Sequence, residues 1–189
     1  MLLETEGQVA SWYHSKILRI PHGKQHPKKR YLMEDQILEL FTGEVEIQEK
    51  VDGKLDCHLM APDTPNQKEY WIKESLHPKN SVHAHIIYDG WDIGGTHHNA
   101  PKTAWLDIVF IGYDGIPKFK PMIMGSPLKY GTVKLDNPTI EQIYMLLGAF
   151  AKLKSHYGSS AIEGVVCKNY EEQLMGKWIN DEFEDRLDS

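Results

Sequence analysis

The chain has 189 residues, 41% of them apolar and 25% charged, which suits one generous domain with a real core and excludes fibrous and intrinsically disordered classes. A formal net charge of -6 excludes a protein that grips nucleic acid by bulk electrostatics and leaves that task to local basic patches. No apolar run reaches bilayer length, and the opening "MLLETEGQ" has neither the basic nor the apolar region of a leader, so the expectation is a cytoplasmic protein with no membrane contact.

The first informative segment is "HGKQHPKKR", which sets Lys24, Lys28, Lys29 and Arg30 in a Gly- and Pro-broken loop suited either to solvent or to a phosphate backbone. "YLMEDQILELFTGE" follows, with Leu32, Met33, Ile37, Leu38, Leu40 and Phe41 at helical spacing and Gly43 as a stop, which predicts a short amphipathic helix. In "EVEIQEKVD" the period drops to two. Val45 and Ile47 fall on one face and Glu46, Gln48, Lys50 and Asp52 on the other, so a strand carries Lys50 out of the packed layer. "LDCHLMA" and "KEYWIKESL" read as further strands around the turn-rich "PDTPNQ", and residues 88–102, "YDGWDIGGTHHNAPK", as a loop or flap.

"WLDIVFIGYDG" is a nearly continuous apolar strand closed by an Asp-Gly turn, and the short segment "IPKFKPMIM" after it is assigned no element. "NPTIEQIYMLLGAFAKLKSHYG" predicts a helix capped by Asn137 or Thr139, with Ile140, Ile143, Tyr144, Leu147 and Ala151 on one stripe and Gly158 as its end. "AIEGVVCKNY" reads as a strand, and "QLMGKWINDEFEDRLDS" as a strand passing into a charged helix. Strand runs with one substantial helix and no alternating β-α-β rhythm predict an α+β protein with mostly antiparallel sheets. Cys57 and Cys167 lie far apart and are expected as reduced thiols, while His83, His85, His97 and His98 lack the spacing of a zinc site.

A lone K-x-D-G is weak evidence, because Asp-Gly is ordinary hairpin punctuation. The order of segments carries more: Lys50-Val-Asp52-Gly53, then Glu74 in "IKESL", Phe110 in "DIVFIGYDG", Glu163-Gly-Val-Val-Cys-Lys168, and Lys177 in "MGKWI". On these residues, from about "RIPHG" at Arg19 to "NDEFED", the chain resembles the ATP-dependent RNA ligase family of the covalent nucleotidyltransferase (polynucleotide ligase) superfamily. The resemblance implies a nucleotidyltransferase (ATP-grasp-like) domain with two packed, mainly antiparallel sheets and flanking helices. It implies a single such domain over residues 1–189, with no OB-fold or C-terminal accessory domain.

The resemblance makes Lys50 the nucleophile that takes AMP from ATP as a lysyl-AMP intermediate. It makes Gln48, Glu49, Asp52, Gly53, Glu74, Phe110, Lys168 and Lys177 nucleotide-binding residues. Among them Glu74 would hold the ribose, Phe110 would stack on adenine, and Lys168 and Lys177 would neutralise phosphates. Glu163 would bind Mg2+ or Mn2+, a hard ion suited to a carboxylate. AMP would then pass to the 5′-phosphate of RNA, nicked or single-stranded, and a 3′-OH would displace it. DNA is the alternative substrate, and a nucleotide-binding module without the later ligation steps is the alternative in another class. Two positions depart from the family's pattern: Leu55 stands where Arg or Asn is usual, and Ile179 where the last motif has a second lysine. Glu163 and Lys168, five apart, fall on opposite faces of a regular strand, so both reach one site only through a bulge at Gly164 or an early strand end.

Overall fold

Val45 and Ile47, alternate residues of "EVEIQEK", are both fully buried, as the strand period requires. The computed structural model describes residues 7–8, 11–13, 17–50, 54–59, 68–75, 103–111, 116–156, 161–181 and 183. Its strands are β1 (Leu18–Arg19), β2 (Glu44–Lys50), β3 (Lys54–Leu59), β4 (Lys68–Ser75), β5 (Thr103–Ile111), β6 (Pro117–Pro121), β7 (Lys129–Lys134), β8 (Gly164–Asn169) and β9 (Leu174–Ile179). They form a five-stranded sheet in the order β1-β9-β8-β2-β7 and a four-stranded sheet in the order β3-β4-β5-β6. Every pairing between these strands is antiparallel except β1 against β9. The two mainly antiparallel sheets expected from the sequence are present. β1, β6 and β7 are additions to the sequence reading: β1 has two residues, β6 begins and ends on proline, and β7 contains Gly131 and buries no residue completely.

Helix α1 (Glu34–Leu40) and helix α2 (Ile140–Phe150) cover the outer face of the larger sheet. Ile37 and Leu40 of α1 and Ile143 and Leu147 of α2 pack with Val45, Ile47, Val165, Cys167 and Trp178. Each such burial contributes roughly 1.5–3 kcal/mol. Burial also pushes the Cys167 thiol up, in keeping with an inert reduced cysteine.

Of the two candidate caps, Thr139 is the one used. Its hydroxyl accepts from Gln142 N at 3.2 Å, and its own N–H donates to Gln142 Oε1 at 2.9 Å. α2 stops at Phe150, well short of Gly158, which lies outside the described residues. The last turn tightens through Lys152 N to Ala149 O and Leu153 N to Phe150 O. The Asn180 amide then takes the Ala151 carbonyl at 3.1 Å. Asn169 does the same for α1, donating to Leu40 O at 3.0 Å and Thr42 O at 2.6 Å.

Gln173 joins the two sheets from a positive φ of 57°. Its side-chain oxygen accepts from Phe119 N at 2.9 Å, and its amide donates to Phe119 O at 2.8 Å and to Tyr170 O at 2.6 Å. No helix among the described residues is long and apolar enough to cross a membrane.

Candidate functional site

The register of the larger sheet decides which motif residues meet. Lys50 pairs with Gly164 and Gly164 with Ile179, while Lys177 pairs with Val166 on one side and Arg19 on the other. Lys50, Lys177, Ile179 and Arg19 therefore share the face opposite the helices. Gly164 is required here by close approach, since a Cβ would collide with the Trp178 carbonyl. No pairing of β8 shifts register at Gly164, so the bulge considered above is absent. Glu163 reaches the site because it stands just before β8, where the alternation has not begun. Its carboxylate Oε2 accepts from Lys50 Nζ at 3.4 Å, with the two side chains 21% and 20% exposed.

Lys177 is a perturbed cation in this group. Burial first, then the positive charges of Lys50 and Arg19, lower its pKa to about 8, with Glu163 opposing and Lys29 acting in the same sense as the other cations. Lys29 belongs to the basic loop, so that loop is not remote. Arg19 N donates to Arg30 O at 3.0 Å and Leu32 N to Arg19 O at 2.8 Å, which lays residues 30–32 alongside β1. Several cations thus gather around one carboxylate in a protein of net charge -6. Such a local field draws phosphorylated anions.

Lys168 has a different environment. It pairs with Glu46, four residues along β2 from Lys50, which sets the two backbones roughly 13 Å apart. Its Nζ donates to Asp107 Oδ2 of β5 at 2.6 Å, and the two side chains are 1% and 0% exposed. Tyr13 donates to the same oxygen at 2.6 Å. The Tyr170 hydroxyl lies 2.6 Å from Asp107 Oδ1 and 2.7 Å from Glu46 Oε2, so one phenolic proton serves two carboxylates. Burial, then the charges of Asp107 and Glu46, push that phenol up. Glu46 further accepts from Gln48 Nε2 at 2.6 Å and pairs with Lys129 at 3.3 Å. Lys168 thus anchors a polar knot between the sheets.

Phe110 lies on the outer face of β5. Asp107 and Val109 are fully buried on the inner face of β5, and Phe119, paired with Val109, packs on Tyr170. Phe110, three residues from Asp107, points to the other side of the sheet, where Lys120 Nζ sits 4.4 Å from its ring centroid.

Gln48 lies on the Lys50 face but is buried against Glu46, and Glu49 lies on the helix-covered face, 2% exposed. Glu74 pairs in the backbone with Leu55 and Ala104. Asp52 and Gly53 lie outside the described residues, as do His83, His85, His97 and His98. Arg19, Asp107 and Tyr170 are the residues that sequence reasoning passed over. The available signal was Asp107, a charge inside an apolar strand that burial makes costly unless paired.

No family model and no curated protein matches the chain. Its structure is similar to that of a Naegleria gruberi RNA ligase with PPi, with a TM-score of 0.52 and 14% identity over 82% of this chain and 55% of that chain. A mutant of the Naegleria gruberi RNA ligase with ATP and Mn gives a TM-score of 0.49 and 14% identity over 93% of this chain and 63% of that one, a likeness too slight to argue from. The first match shows a fold shared with that RNA ligase, and the chain spans little more than half of that ligase's length.

Proposed function

We propose that the protein is an ATP-dependent RNA ligase in which Lys50 is the nucleophile. The observation that carries this is the convergence of Lys50, Glu163 and Lys177 on one face of the sheet, from three separate motifs and in a fold like that of an RNA ligase. Unprotonated Lys50 Nζ attacks the α-phosphorus of ATP. The N–P bond forms, the bond from α-phosphorus to the bridging oxygen breaks, pyrophosphate leaves, and the amine's proton passes to solvent. AMP then moves to a 5′-phosphate of RNA, and a 3′-OH displaces it to seal the strand. Lys177, Arg19 and Lys29 hold phosphate oxygens near Lys50.

Mg2+ keeps several waters and needs only one or two protein carboxylates beside substrate phosphates. Glu163, part-exposed beside Lys50, fits that demand, while among the described residues no group of three or more His, Cys, Asp or Glu could hold a metal by itself. When bound, Mg2+ or Mn2+ supplies charge stabilisation to the phosphoryl oxygens. Incubation with α-labelled ATP and magnesium, followed by denaturation and mass analysis, tests the reading, and one AMP on Lys50 is expected. Nucleotide that is bound but released on denaturation would leave only a nucleotide-binding module, the reading that Ile179, buried where the family has a lysine, favours. Presenting adenylated RNA and adenylated DNA side by side separates the two polynucleotide substrates.

Glu163→Gln is expected to slow adduct formation by at least the roughly 10–100-fold that loss of an outer-shell metal partner costs. It should also weaken the response to magnesium. An unchanged magnesium titration would remove Glu163 from the site. Changing Lys28, Lys29 and Arg30 together to alanine should weaken RNA binding and flatten the slope of log affinity against log salt by up to about 2, at roughly 0.7 per single-strand phosphate contact. Because Lys29 is proposed to hold phosphate oxygens, ATP affinity should fall as well, although Lys177, relieved of a like charge, becomes easier to protonate. Parallel salt series for wild type and triple variant decide this, and equal slopes would mean a solvated loop.

A further inference from the structure

The ladder between β2 and β7 shifts register between Ile47 and Gln48, and β7 begins only at Lys129. Among the described residues the β7 ladder ends at Gln48, while the β8 ladder runs on to the pair of Lys50 with Gly164. On the side towards β7 the strand end is held at Glu49 twice, by its backbone N–H, which donates to Leu128 O at 2.8 Å, and by its buried side chain. Its Oε1 accepts from Ser155 Oγ at 2.7 Å, and its Oε2 accepts from the His156 backbone N–H at 2.8 Å. The His156 ring completes the set, with Nδ1 at 2.8 Å from Glu49 Oε2 and Nε2 at 3.1 Å from the Lys129 carbonyl oxygen.

A carbonyl oxygen and an ionised carboxylate only accept hydrogen bonds. Both ring contacts are therefore satisfied together only when both nitrogens carry protons. The Tyr130 ring, 4.4 Å away between centroids, offers an aromatic neighbour for that cation. We propose that His156 is a positioning residue, held as the imidazolium, that clamps through Glu49 the end of the strand on which Lys50 stands. The inference rests on the reading of Lys50 given above.

The charged and titratable groups around the ring, among the described residues, are few. Glu49 faces it from β2, and Lys129 and Tyr130 from β7. Lys129 Nζ is turned to Glu46, and the Tyr130 hydroxyl donates to the carbonyl of Lys154, which precedes His156 by two residues. The Glu49 hydrogen bond holds His156 above its usual value of 6.5, against burial, which lowers it. A raised folded value means that the clamp's stabilisation is fully present below the unfolded value of about 6.5 and is lost as pH rises through the folded value.

Two measurements decide the matter. In protein labelled with 15N-histidine, both His156 ring nitrogens should be protonated at about pH 6 and stay so to higher pH than in a free histidine. Acetylation of Lys50 by acetic anhydride, read by mass spectrometry against exposed Lys134 in the same molecule, should shift severalfold across the pH range where the ring titrates. In His156→Lys, which keeps a donor on Glu49 at every pH used, that shift should vanish. In His156→Ala the high-pH ratio should hold throughout. A ring nitrogen without its proton at about pH 6, or an unaltered pH response in His156→Lys, would overturn the proposal. Neither reading uses ATP, so a missing AMP adduct would count against the ligase function and leave these results standing.

Discussion

Lys50→Ala is expected to abolish the AMP adduct, lowering its rate of formation by more than about 10³-fold, the scale on which loss of a covalent nucleophile acts. Stability should change by less than about 1 kcal/mol, because the pair with Glu163 that the substitution removes is part-exposed. The contrast between the two readouts is what makes the result specific: a residue that only supports the fold would move both. Intact-mass analysis after incubation with ATP and magnesium, with a thermal melt of the same sample, supplies both numbers. An adduct that persisted in Lys50→Ala and disappeared in Lys54→Ala would show that the neighbouring lysine is the nucleophile.

Lys168→Ala should produce the opposite pattern. Asp107 is fully buried and takes its hydrogen bonds from Lys168, Tyr13 and Tyr170. Removing the lysine strands a carboxylate between the sheets, which costs about 3–5 kcal/mol. For a chain of this size, at about 2–4 °C per kcal/mol, the melting midpoint should fall by roughly 6–20 °C. The double variant Lys168→Met with Asp107→Leu removes both charges and should recover most of the loss, since apolar replacement of a buried pair is often neutral. A phosphate-binding lysine would behave otherwise, with ATP affinity falling and the melt unchanged. A single substitution that cost under about 1 kcal/mol would return Lys168 to the nucleotide.

Where periodicity was strong, the sequence was a reliable guide. The period-2 run at Val45 and Ile47, the strands around Glu74 and Asp107, and the stripe of Ile143 and Leu147 all lie in the expected elements. β1 and β6 escaped because their lengths and prolines leave no period to read, and β6 is held by its register to β5. Lys50, Glu163 and Lys177 were legible as motif members, and the sheet register brings them together. Lys168 belonged to the same motif as Glu163, yet its partner Asp107 lies 61 positions away, and no local pattern announces such a pair. Phe110 lies in the expected strand, and its face follows from the parity of Asp107 and Val109, which are buried on the inner side. The proximity of Lys29 to Lys177 likewise depends on the short parallel pairing of β1 with β9.

The Gln173 side chain has a consequence for how this molecule meets other molecules. Among the described residues β6 pairs with β5 along one side only, and an edge of that kind ordinarily offers a row of donors and acceptors to any passing strand. Gln173 occupies both groups of Phe119, the central residue of a strand only five residues long. Proline, which has no N–H to offer, stands at both ends. What remains of the edge is too short and too interrupted to template intermolecular pairing, so this side of the smaller sheet is blunted against edge-to-edge aggregation by a single amide.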